Sequence, residues 1–153
     1  MPLLATKYFG TVTYESIDVL HFPDGLPAFD RENSFVLIDM PGRRPLVFLQ
    51  SAAREDLCFI ALPLLVLDPE YELSVSNEDL SSLKMEPDRQ PRIGSEVLVL
   101  ALLSVQEGVP ATANLMAPVA VNLSNRLAVQ AIRCDFKYSH RHPVPGLARE
   151  EAC

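Results

Sequence analysis

Proline placement constrains this chain more than any other feature. Thirteen prolines occur in 153 residues, and most fall between short apolar runs. A proline cannot donate to a strand ladder, so it is confined to edges, strand ends and corners. The runs it separates are rich in β-branched and aromatic residues. Residues 34–40 carry Phe35, Val36, Leu37 and Ile38; residues 46–50 carry Val47, Phe48 and Leu49; residues 57–62 and 97–105 follow. Turn clusters such as Pro41-Gly42-Arg43-Arg44-Pro45 divide them, which is the pattern of successive strands. Val119, Val121 and Leu123 alternate with Ala120, Asn122 and Ser124, and Leu127, Val129 and Ala131 alternate with Ala128 and Gln130. Alternation on both sides of Ser124-Asn125-Arg126 predicts a hairpin. The expected fold is mainly β: a compact antiparallel β-barrel-like single domain with one short helix. Val97, Val99, Phe35, Leu37, Phe59 and Val121 are expected in its core.

The helix is expected over residues 77–83. Ser76 is a good N-cap and Asp79 stands where a capping box places its acid, and the helix must end before Pro87. The domain is expected to span 1–143, with 144–153 a frayed tail. The longest clean apolar run, residues 97–103, is far short of the ~20 residues of a membrane helix, and the N-terminus lacks the basic, then apolar pattern of a secretory signal. Cys58, Cys134 and Cys153 are odd in number and unpaired by spacing, which suits a reducing cytoplasm. Cys58 reads as a small core residue.

The segment His21-Phe22-Pro23-Asp24-Gly25-Leu26-Pro27-Ala28-Phe29-Asp30 brackets a glycine between two prolines and two aromatics. Proline restrains the backbone and glycine permits a tight reversal. The segment therefore predicts a stiff, shaped loop, either a corner between strands or a docking surface. Phe22 is expected to be buried, with Leu26 or Phe29 partly exposed as a contact.

The net charge is -7. Residues 55–88 hold nine carboxylates against Lys84 alone, which is more than the whole net charge. Arg126, Arg133, Lys137 and Arg141 form a basic stretch later in the chain. An acidic chain without clustered cations does not suit direct nucleic-acid binding. The acidic stretch is either an ordinary solvated face or a surface for a basic partner.

Chemistry-bearing motifs are absent. There is no phosphate loop, nucleophile elbow or dinucleotide fingerprint. Ile93-Gly94-Ser95-Glu96 lacks the second glycine of an elbow. His140 and His142, with Cys134 and His21, have no CxxC or HxxxH spacing, so neither a metal nor a cofactor is expected. A ligand or catalytic site around His21 and Asp24 of a small barrel is the alternative. An internal cavity lined by polar residues would favour it, and a filled apolar interior a binding protein.

Several segments together resemble the FliW family of flagellar assembly factors. Thr6-Lys7-Tyr8-Phe9-Gly10 is similar to the family's opening strand, and residues 22–29 to its signature loop. Leu49-Gln50-Ser51 matches a further marker, and Asp68-Pro69-Glu70-Tyr71-Glu72-Leu73 resembles an acidic-aromatic strand before the short helix. Residues 112–119 and 122–130 resemble the closing hairpin, and Tyr138-Ser139-His140-Arg141-His142-Pro143 the terminal marker. Ala28 stands where members usually have Gly, and Phe48 where many have Trp. The resemblance implies a non-enzymatic cytoplasmic protein, monomeric when free. It would bind flagellin and the RNA-binding regulator CsrA, relieving CsrA repression of targets such as flagellin mRNA. The candidate contact residues are then Leu26, Pro27 and Phe29 of the loop with Asp68, Glu70, Tyr71, Glu72, Glu78 and Asp79 of the acidic stretch.

Overall fold

In the computed structural model, residues 2–26 and 32–144 are described. Each predicted apolar run becomes a strand: β4 (Ser34–Ile38), β5 (Val47–Ser51), β6 (Cys58–Pro63) and β7 (Val97–Gln106). They are preceded by β1 (Leu3–Thr6), β2 (Gly10–Thr13) and β3 (Val19–His21), and followed by β8 (Val109–Asn122), β9 (Ala128–Gln130) and β10 (His142–Pro143). The main sheet runs β10-β8-β7-β6-β5-β4-β3, with β9 also on β8, and its pairings are antiparallel. At its far edge His21 meets Leu127 in a parallel bridge, and the His21 N–H donates to Arg126 O at 2.9 Å. That contact brings β3 back to the β8–β9 hairpin and nearly closes the barrel. The hairpin pairs Val119 with Gln130 and Val121 with Ala128, as the alternation predicts.

Alternation along β5 shows how the chain builds its core. Phe48 faces one apolar cluster with Leu62, Val97, Val99 and Leu115, while Leu49 faces another with Leu20, Phe22, Phe35 and Val121. The sheet is thus covered by apolar residues on both faces. Phe48 is fully buried and meets Phe9 edge-on at 5.0 Å. Of the expected core, Phe35, Val97, Val99 and Val121 are buried. Leu37 and Phe59 are half-buried. Both lie opposite Leu49 in the ladder, in a row that reaches the rim of its cluster.

The expected helix is α2 (Asn77–Ser82), and the Ser76 Oγ accepts the Asp79 N–H at 3.1 Å. Leu80 and Leu83 bury it against Ala120, Val129 and Ala131. Its terminal carbonyl, Leu83 O, accepts Asn122 Nδ2 at 2.9 Å and Asn125 Nδ2 at 3.2 Å, supplying partners that a helix end otherwise lacks.

Four expectations need correction. A second helix, α1 (Leu64–Leu67), follows Pro63; one turn is too short to carry a helical period. Residues 6–10 are not one strand: Thr6 ends β1, Gly10 begins β2, and residues 7–9 are the turn of the β1–β2 hairpin. Thr6 Oγ1 accepts the Phe9 N–H and donates to Gly10 O, and Gly10 has φ +65°. Residues 68–73 form no strand: the Asp68 carboxylate accepts the Glu70 N–H at 3.0 Å, an Asx turn that competes with extended pairing. Val144, placed in a frayed tail, is buried and donates its N–H to Ala111 O.

Candidate protein-binding surface

The turn at residues 22–25 is rigid for reasons visible in its bonds. Phe22 is fully buried and meets Phe35 edge-on at 5.4 Å. Its N–H donates to Asn33 O, and Asn33 Nδ2 donates back to Phe22 O at 2.8 Å and to Pro23 O at 3.3 Å. The Gly25 N–H closes the turn on Phe22 O at 3.0 Å with φ +65°, a conformation that favours glycine. Leu26, expected as a partly exposed contact, is only 2% exposed and belongs to the core around Phe35 and Leu49. An apolar side chain beside a filled cluster gains more from burial than from exposure. Pro27, Ala28, Phe29 and Asp30 lie outside the described residues.

Asp24 remains exposed beyond this turn and faces α2, where Ser82 Oγ donates to its Oδ2 at 3.2 Å. Asp24, Gly25, Leu26, Asp79, Ala128, Val129 and Gln130 line a depression of about 210 Å³. Burial pushes the Asp79 carboxyl above its usual range, and the charges of Glu78 and Asp24 push the same way, while the Ser76 hydroxyl opposes them. Asp24, Glu78 and Asp79 join no salt bridge among the described residues.

The segment around Tyr71 is arranged differently. Tyr71 is 6% exposed and so is not an aromatic anchor offered to a partner. Its hydroxyl donates to Leu115 O at 2.8 Å, and its ring lies 4.4 Å from that of Tyr138. The Arg133 guanidinium sits 4.8 Å from the Tyr138 ring centroid. It donates Nε and Nη2 to the Asp135 carboxylate at 2.8 and 2.9 Å, and Nη1 to Glu72 O. Arg133 is only 5% exposed. Burial raises the Tyr71 pKa, and the hydrogen bond from Arg133 lowers that of Asp135. Glu72 is paired with Lys137, whose hydrogen bond holds its carboxylate below the usual range. The Tyr138 hydroxyl accepts the Glu72 N–H at 2.9 Å. Asp68 and Glu70 join no salt bridge among the described residues.

The structure therefore gathers Asp24, Leu26, Glu78 and Asp79 on one side, and commits Tyr71 and Glu72 to internal contacts. Sequence reasoning did not single out Phe136, which is 92% exposed between Arg133 and Tyr138; a lone Phe amid charged residues was its only signal. His21 is exposed but does not line the depression beside Asp24. Among the described residues no His, Cys, Asp and Glu group could hold a metal ion, and no helix is long and apolar enough to cross a membrane. The clusters filling both faces of the sheet are apolar.

A family model described as FliW protein matches residues 3–144. A flagellar assembly factor FliW from Syntrophomonas wolfei is 33% identical over 151 residues, covering 97% of this chain and 93% of the relative. One from Bacillus licheniformis is 33% identical, covering 99% of each. One from Bacillus subtilis is 30% identical, covering 94% and 97%. A crystal structure of the flagellar assembly factor FliW superposes with a TM-score of 0.78 at 29% identity, covering 93% of this chain and 96% of that one.

Proposed function

The chain belongs to the FliW family, and on that premise we propose that it is a cytoplasmic binding switch in flagellar assembly. It holds flagellin before export, and when flagellin leaves it binds the regulator CsrA, so that flagellin mRNA is translated. The role is non-catalytic, the free protein is monomeric, and it does not contact RNA itself. The observation that carries the reading is the match across residues 3–144. A rigid turn beside three carboxylates that join no salt bridge among the described residues supports it. Such a surface steers a basic partner and leaves nucleic acid to it.

Size exclusion of the purified protein with flagellin and with CsrA from the same organism tests this. Two separate complexes are expected, and flagellin should reduce the CsrA complex when all three are mixed. Failure to bind either protein would remove the proposal.

A further inference from the structure

We propose that the depression between the Phe22–Leu26 turn and α2 receives one lysine or arginine side chain of a protein partner. The inference rests on the binding role above and names the chemistry by which one site serves it. The floor is apolar, made by Leu26, Ala128 and Val129, while Asp24 and Asp79 supply carboxylates. That pairing suits a long basic side chain, whose methylene stem covers apolar surface while its head meets the charges.

Charge complementarity decides the occupant. Five carboxylates, those of Asp39, Asp56, Glu72, Glu96 and Asp135, form salt bridges within the described chain. Asp24, Glu78 and Asp79 form none, although they lie close enough for Glu78 and Asp24 to shift Asp79. A fold that pairs acids elsewhere leaves these without a cation among the described residues. The chain's net charge of -7 favours approach of a cationic group.

The walls are also preformed. Asn33 fixes the turn, the Ser76 cap and the asparagine bonds to Leu83 O fix α2, and β8 fixes β9. A rigid recess loses little freedom when it is filled.

Two measurements test the assignment on the full chain. The first is an amide chemical-shift titration with an acetylated tetralysine peptide. The largest shifts are expected at Gly25, Leu26, Asp79, Val129 and Gln130. They should vanish in the double variant Asp24→Asn, Asp79→Asn and persist in Glu86→Gln, which removes a charge outside the depression. Shifts spread over the acidic surface, or unchanged in the double variant, overturn the proposal. The second is calorimetry with CsrA from the same organism. The double variant should bind about tenfold more weakly and Glu86→Gln about as well as wild type. Wild-type binding with an unaffected double variant overturns the recess but leaves the switch intact. A wild type that binds neither CsrA nor flagellin, yet localises tetralysine to the recess, ends the switch and supports the cation site. Melting curves show whether the isosteric double variant is folded.

Discussion

Two regions of this chain share a sequence character, acids beside an aromatic residue, and differ in what the fold brings to them. Around Tyr71, Lys137 arrives to pair with Glu72, and the Arg133–Asp135 pair packs against the same backbone. Around Phe22, folding brings α2, which adds Glu78 and Asp79 to Asp24 and supplies no cation. The bases that answer Glu72, at its carboxylate and its backbone carbonyl, lie over sixty residues away in sequence. Charge density along a chain therefore misstates charge density on its surface. The Tyr71 region acts as a clasp between distant segments, whereas the Phe22 region leaves its charge outward.

The largest effect that would sharpen this contrast lies on the apolar side of the turn. Phe22→Ala removes a fully buried ring packed on Phe35. It should cost about 3–5 kcal/mol in urea unfolding, as large-to-small core changes do. A cost below about 1 kcal/mol would show that the turn is only surface dressing. Gly25→Ala places a Cβ at φ +65° and should cost about 1–2 kcal/mol.

The clasp comes next. Arg133→Met keeps much of the apolar stem but withdraws the donors to Asp135 and Glu72 O. Hydrogen bonds of a charged group are worth about 1.5–3 kcal/mol, and the exposed Asp135 carboxylate regains water. A loss of about 2 kcal/mol in urea unfolding is expected, with near-wild-type affinity for CsrA. A large loss of CsrA affinity in a folded variant would move the binding surface to the clasp and break the comparison.

How much of this was legible depends on the range of the interactions. The strands were readable because alternation and β-branched residues act within a few positions, as in the Val119 and Val129 arms of the hairpin. Helix α2 was readable because Ser76 caps it locally. The turn's stiffness could be read from Pro23 and Gly25, and the burial of Phe22 with it. The burial of Tyr71 and Leu26 could not be read, because it depends on Leu115, Tyr138 and Phe35, which topology alone brings near. One-turn α1 left no period, and the strand at residues 68–73 was implied by the family resemblance alone, where the Asx turn at Asp68 prevails. Asp24 and Asp79 were each noticed in sequence, but only the sheet's closure puts them on one depression.

Proton linkage separates the two regions by sign. Asp79 has its pKa raised above 3.8, chiefly by burial. Its contribution to stability is present below the unfolded pKa and lost as pH rises through the folded one. Asp79→Asn should therefore gain stability relative to wild type at neutral pH, and the gain should disappear near pH 3. Asp135, lowered by Arg133, acts oppositely: its contribution is present above the unfolded value and fades as pH falls through the folded one. Unfolding curves of Asp79→Asn and Asp135→Asn at neutral and acid pH distinguish these signs. Equal responses would mean that the two regions do not differ electrostatically.

The smallest effect tests whether the clasp or the recess guides association. Glu72 is already neutralised by Lys137 and both side chains are exposed. Glu72→Gln should therefore shift the melting temperature least of these variants, and less still in high salt, because exposed pairs are weak and screened. Its association rate with CsrA should stay close to wild type, since a carboxylate spent on an internal partner adds little to the outward field. Asp24→Asn should slow the same association and flatten its dependence on salt, because its charge meets no cation among the described residues and rim charges act mainly on the encounter. Surface-plasmon kinetics at two salt concentrations read both variants side by side. A Glu72→Gln rate that falls as far as that of Asp24→Asn would mean that pairing with Lys137 does not quench Glu72, and that the outward field belongs to the acidic stretch as a whole.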